Sequence, residues 1–215
     1  MSQKEVFLES EGDAWYARNP APPTPRAQAL ARTLKEMHIA PSAILEVGCA
    51  GGGFLAALQQ EFSAARCAGI DPSARAIEDA GARYPDMTFR QSTADDLPFK
   101  DASFDLVILG FCLYLTDPAD HFRAAWQTDR VTRSPGFVVV RDFLPPSPYR
   151  NSYAHKPGLF SHKMNFSGML TWHPAYALLS RTYREHSSPY GYDADERVIT
   201  DILRKDADMA FPRRR

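Results

Sequence analysis

The chain has 215 residues, of which 44% are hydrophobic and 24% charged. That balance supports one folded domain whose core needs no disulfide or metal staple. Basic and acidic side chains number 25 and 26, so the net charge is -1 and no overall field favours nucleic acid or an anionic membrane. Cys49, Cys67 and Cys112 form no CxxC pair, which argues against a disulfide framework and a structural zinc site and for a reducing cytoplasm. No apolar run reaches signal-peptide or membrane-span length. The arginines at 213–215 read as a solvated tail.

Residues 1–23 read as a leader ahead of a domain at 24–215; they mix polar stretches, the aromatic pair Trp15-Tyr16 beside Arg18 and Asn19, and the proline-rich PAPPTP. A helix is predicted from Thr24, with Thr24 as cap, Pro25 in the first position and Ala27, Leu30, Leu34 and Met37 on one face. The apolar run 43–47 reads as a buried strand, followed by a loop holding Gly48, Ala50, Gly51, Gly52 and Gly53. The next helix turns Phe54, Leu55, Leu58 and Phe62 inward. A strand at 67–70 stops at Asp71-Pro72, and Ser73 starts a helix with Ile77, Gly81 and Tyr84 on its inner face. Strands follow at 87–90, 104–109 and 136–140. Between the last two, Asp117, Pro118 and Asp120 read as cap, first turn and capping box of a helix carrying Phe122, Trp126 and Val131.

The strands are continuously apolar, as expected when both faces of a parallel sheet are covered. Their alternation with helices predicts an α/β fold. From Leu144 to Pro174 the period is lost, and this excursion of about 30 residues is expected to cover a substrate. Residues 176–186 and 197–203 supply the last two strands.

Two motifs carry chemistry. The strand, glycine loop and helix over 44–58 allow close approach of a ligand to backbone, and open amides at the helix start favour an anionic group. Asp71 ends the next strand, 23 residues after Gly48, where a carboxylate accepts both hydroxyls of a ribose. Together they imply an adenosine-type cofactor. Gly48-x-Ala50-x-x-Gly53 also mimics the dinucleotide fingerprint, so a nicotinamide-dependent oxidoreductase remains open, although no Tyr-x-x-x-Lys follows.

In this order ILEVGCAGGG, GIDPS, STADDLPFKDASFDLVILGF and GFVVVRDF resemble the successive motifs of class I S-adenosylmethionine-dependent methyltransferases, in particular the ubiquinone/menaquinone-biosynthesis type. The resemblance covers residues 43–142. It implies a Rossmann-like, mostly parallel seven-stranded sheet with helices on both faces. It also implies S-adenosyl-L-methionine as cofactor, released as S-adenosyl-L-homocysteine, and a methyl acceptor that is a small molecule such as a natural product or sugar derivative. On that resemblance Glu46 holds the methionine ammonium. Gly48, Ala50 and Gly52 let the chain pass close, with Ala50 standing where the family usually has glycine. Asp71 with Pro72 takes the ribose, Thr93, Ala94 and Asp95 meet the adenine, and Gly110 and Phe111 lie under the sulfonium. The leader segment EGDAWYARN resembles that of methyltransferases associated with surface sugars, which makes Tyr16, Arg18 and Asn19 a lid and Arg18 the partner of the methionine carboxylate.

Methyl transfer from a sulfonium is an in-line displacement that needs alignment and exclusion of water. A hydroxyl acceptor usually needs a base, and His155, His162 and His173 are the candidates, with Tyr114, Tyr149 and Tyr153 as positioning groups. Spacings of seven and eleven between the histidines match no standard metal pattern, so no metal is expected. Cys112 is assigned to the core. A non-catalytic scaffold that binds the cofactor remains the third reading.

Overall fold

The computed structural model describes residues 1–19, 25–63, 65–185 and 193–213, with Glu185 by its backbone only. Thr24 and His186 therefore lie outside the described residues. Among the described residues nine strands form: β1 (Ala43–Val47), β2 (Arg66–Asp71), β3 (Thr88–Gln91), β4 (Phe104–Gly110), β5 (Thr132–Phe143), β6 (Tyr149–Ser152), β7 (Phe160–Lys163), β8 (Tyr176–Glu185) and β9 (Arg197–Lys205). Seven of them make one sheet in the order β3-β2-β1-β4-β5-β9-β8. β1 to β5 are mutually parallel, and β9 is antiparallel to both its neighbours. This is the expected Rossmann-like α/β sheet.

Both faces are covered, which is why the strands read as unbroken apolar runs. On one face Ile44, Ile108, Val139 and Ile202 pack under α3 (Pro25–Glu36) and α4 (Gly53–Glu61), through Leu30, Leu34, Leu55 and Leu58. On the other, Leu45, Val107, Val138 and Leu203 meet α6 (His121–Val131) and α7 (Gly168–Thr171). Leu106 and Leu55 are fully buried, and truncating either to Ala should cost about 2–5 kcal/mol.

Three local expectations change. Asp117 makes no capping bond; it precedes a short 3-10 turn, Pro118–Asp120, and α6 begins at His121. Phe122 and Trp126 point outward, 77% and 57% exposed, because the smaller Ala124, Thr128 and Val131 hold the buried stripe of α6. In α5 (Ala74–Arg83) the inner positions are Ala76 and Ala80, both fully buried, while Gly81 is exposed. In α5 and α6 small side chains set the close helix contact, and in α6 the bulky Phe122 and Trp126 are displaced outward.

The excursion is folded: β6 and β7 form an antiparallel hairpin, and α7 follows. The leader is helical, not loose. α1 (Gln3–Val6) is closed by a capping box between Ser2 and Glu5, a single π-helical turn spans Phe7–Glu11, and α2 (Gly12–Arg18) continues it. No helix among the described residues is long and apolar enough to cross a membrane.

Candidate cofactor site

A pocket opens at the carboxyl ends of β1, β2 and β4, the place where parallel sheets bind ligands. It encloses about 780 Å³, open solvent at its mouth included. Of the residues expected from sequence, Gly48, Asp71 with Pro72, Thr93 with Ala94 and Asp95, and Gly110 with Phe111 form its wall.

The glycine loop is bent by positive φ at Gly48 (79°), Ala50 (44°) and Gly52 (75°). Glycine tolerates this; for Ala50 the left-handed region costs roughly 1–2 kcal/mol. Asp71 holds the turn in place: Oδ2 accepts the Ala50 N–H at 2.9 Å and Oδ1 accepts the Ser73 N–H at 2.9 Å. Each oxygen keeps a lone pair for a ligand hydroxyl. Burial pushes the Asp71 carboxyl up to about 6 against the pull of these two N–H groups. Ala50 and Gly52 shape the loop from behind and are not part of the wall.

Glu46 stands just behind the wall, 3% exposed. Its Oε2 is buried without a hydrogen-bond partner. Burial pushes the carboxyl up to about 8, with the Arg141 charge pulling the other way and Asp71 adding to the rise. A buried acceptor left unpaired costs roughly 1–3 kcal/mol, so this position asks for a donor, and a ligand ammonium fits it. Gly110 leaves the space: a Cβ there would sit 3.1 Å from Glu46 Oε1.

The leader closes the other side. Lys4, Phe7, Gly12 and Trp15 all contribute to the wall. The leader is fastened at several points. Gln3 N–H donates to Asp117 Oδ2 at 2.9 Å, and Gln3 and Phe160 exchange side-chain and backbone bonds at 2.9 Å. Asp13 accepts from Ser73 Oγ at 2.6 Å and from Arg75 N at 3.1 Å, which caps α5 from outside.

Other expected residues are not brought to the pocket. Tyr16 packs over Gly51 and donates to Asp79 at 3.0 Å. Arg18 pairs with the buried Glu11 and reaches the Tyr153 hydroxyl at 3.1 Å, so its charge is answered within the leader. Asn19 bonds back to the Trp15 carbonyl at 2.8 Å. Tyr114 is packed between Phe111 and Phe143, and burial pushes its phenol up, away from service as a base. His155 is exposed against Tyr153. His162 packs beside His121, and burial pushes its imidazole down. His173 accepts the Ala175 N–H at 3.1 Å. Tyr149 donates to the Asp195 carbonyl at 3.0 Å. None of these histidines lines the pocket. Among the described residues no group of His, Cys, Asp and Glu is arranged to hold a metal.

Sequence reasoning missed Lys4, Phe7 and Trp15, although Gln3, Phe7, Glu11 and Trp15 recur every four residues, a helical stripe. It also missed Asp117, whose carboxylate serves the leader, and Cys112, which lines the pocket and does not only fill the core. Burial holds the Cys112 thiol well above its ordinary value, so it is an inert wall.

This sheet order, with a glycine loop, a carboxylate ending β2 and a buried carboxylate in β1, is the arrangement of a Rossmann-like α/β ligand-binding domain. Residues 44–136, somewhat under half of the chain, match the family described as methyltransferase domain. An uncharacterized methyltransferase of Synechocystis is 32% identical over 53% of this chain and 53% of its own length. A demethylmenaquinone methyltransferase of Thermotoga maritima is 26% identical over 64% of this chain and 56% of its own. The chain thus spans about half the length of these relatives. Among solved structures, the N-methyltransferase NodS of Bradyrhizobium japonicum in complex with S-adenosyl-L-homocysteine shares the fold, with a TM-score of 0.64, 23% identity and coverage of 94% of this chain and 96% of that one.

Proposed function

We infer that this chain transfers the methyl group of S-adenosylmethionine to an oxygen or nitrogen atom of a small molecule. The observation that carries the reading is the unpartnered Glu46 Oε2 beside a pocket that Asp71 and Thr93-Ala94 also wall. In this reading Glu46 takes the methionine ammonium, Asp71 the ribose hydroxyls, and the 93–95 segment the adenine. A dinucleotide would instead bring a pyrophosphate to the glycine loop and would supply no ammonium for Glu46 Oε2.

When bound, the cofactor supplies an electrophilic methyl on a sulfonium. The aromatic face of Phe111 suits that positive charge. The leader and the apolar residues Phe7 and Trp15 exclude water from the reacting end. A relative named for demethylmenaquinone supports a small-molecule acceptor. Three cysteines outside any disulfide support a cytoplasmic setting.

Calorimetric titration with S-adenosylmethionine and S-adenosylhomocysteine tests the reading. Micromolar binding at one site per chain is expected, followed by mass-shift screening of acceptors. A folded protein that binds neither would overturn it.

A further inference from the structure

A second group of charges borders the cofactor site on the α3–α4 side. In the β4–β5 register Arg141 lies opposite Gly110, and its carbonyl accepts the Phe111 N–H at 2.8 Å. Val139 and Ile202, paired across β5 and β9, belong to the core under α3 and α4. Two residues further on, Arg141 and its partner Thr200 face the same way. The Arg141 guanidinium lies 5.3 Å from the centroid of the Phe54 ring, in the first turn of α4. Thr182 pairs with Thr200, and Arg184, two residues along β8, shares that face. Arg26 stands in the first turn of α3, the helix packed against α4.

The three guanidiniums act on one another. Burial first, and then the Arg184 charge, hold Arg26 below its ordinary value; burial holds Arg141 down too, with Glu46 opposing and Arg26 and Arg184 adding. Among the described residues none of the three side chains forms an ion pair or hydrogen bond, and Glu46 and Asp142 act on Arg141 only through space. Converging like charges without a paired carboxylate repel, and their planar forks match a carboxylate or phosphate. Phe111, next to Gly110 and bonded through its N–H to Arg141, lines the pocket wall with Tyr114 and Phe143 packed against it, centroids 4.9 and 5.0 Å away, and offers a face for an aromatic body.

We propose that Arg26, Arg141 and Arg184 bind a carboxylate or phosphate of the methyl acceptor, so that the acceptor is an aromatic acid. The proposal rests on the methyltransferase reading and adds the substrate class. The methionine carboxylate of the cofactor shares this chemistry, and the test separates the two sources.

The full chain, with and without saturating S-adenosylhomocysteine, is titrated calorimetrically with benzoate and phenyl phosphate, with benzamide as the neutral control. The loaded protein is expected to bind the anions at least about tenfold more tightly than benzamide. The double variant R26E/R184E should erase that preference, keep S-adenosylhomocysteine affinity within about twofold, and melt as the parent does, since both side chains are exposed. Equal binding of benzamide, or an unchanged preference in the variant, overturns the proposal. A roughly tenfold loss of S-adenosylhomocysteine affinity with the probes unaffected assigns the arginines to the cofactor and also overturns it. If the parent fails to bind S-adenosylhomocysteine, the cofactor reading falls, while titration of the unloaded protein still reads the anion site by itself.

Discussion

Lys4 and Asp95 tie the first helix of the chain to the floor of the cofactor pocket: Nζ lies 2.6 Å from Oδ2, and the Asp95 side chain is 3% exposed. Thr93 Oγ1 donates to the other oxygen at 2.7 Å, and Lys4 also lies 3.4 Å from Asp120. Burial raises the Asp95 carboxyl, but the bonds from Lys4 and Thr93 outweigh it and hold the group below its ordinary value.

Lys4→Met removes the ammonium and leaves a buried carboxylate short of a donor. A loss of about 1–3 kcal/mol at pH 7 is expected in urea denaturation. Because the folded pKa of Asp95 is depressed, its contribution is present above the unfolded value of about 4 and is lost as pH falls through the folded one. The variant should therefore show a flatter acid limb than the parent. Identical stability and identical acid limbs would show that the pair contributes nothing.

Glu46, pushed up to about 8, is largely protonated at pH 7 before the cofactor arrives. An ammonium beside it favours the charged form, so binding should expel up to one proton. Calorimetry of S-adenosylhomocysteine binding in buffers of different ionisation enthalpy reads this directly, and affinity should rise between pH 6 and 8. Heats that do not depend on the buffer would remove Glu46 from the ammonium site.

Asp71→Asn keeps the size of the side chain but puts an amide donor where one oxygen now accepts from Ala50 or Ser73. Cofactor affinity should fall by about 2 kcal/mol, roughly 30-fold, through loss of the charge-assisted ribose contact. In the parent the same contact should weaken as pH falls through about 6, where the carboxyl takes up its proton. An Asn variant that binds as the parent does would move the ribose elsewhere.

Ala50→Gly relieves a positive φ of 44°. A gain of about 1 kcal/mol, or roughly 2–4 °C in Tm, is expected, because relief of the left-handed strain exceeds the entropy glycine loses on folding. No change in Tm would mean that the Asp71 bond to the Ala50 N–H is tuned to the larger residue.

The sheet and much of the pocket wall were legible because they depend on local pattern. The 43–47 and 104–109 runs, the glycines and Asp71 carry their meaning within a few neighbours. The leader was not, because its helical stripe is short and interrupted by polar residues, and its partners Asp95, Asp117 and Phe160 lie far along the chain. Phe122 and Trp126 misled for a related reason: their size suggests a core, whereas α6 approaches the sheet through Ala124 and Thr128. The histidines of the excursion were chosen for chemistry alone, and for His162 it is the register of the β6–β7 hairpin, in which it pairs with Arg150, that decides where it points.

Gly110 gives the site a selectivity written in volume. With no carbon beyond its Cα, it leaves the Glu46 carboxylate a way to the pocket; the Cβ of an alanine would already stand 3.1 Å from Oε1. The charge that would recognise an ammonium could thus be fenced off by one methyl group, with every charged residue of the protein still in place.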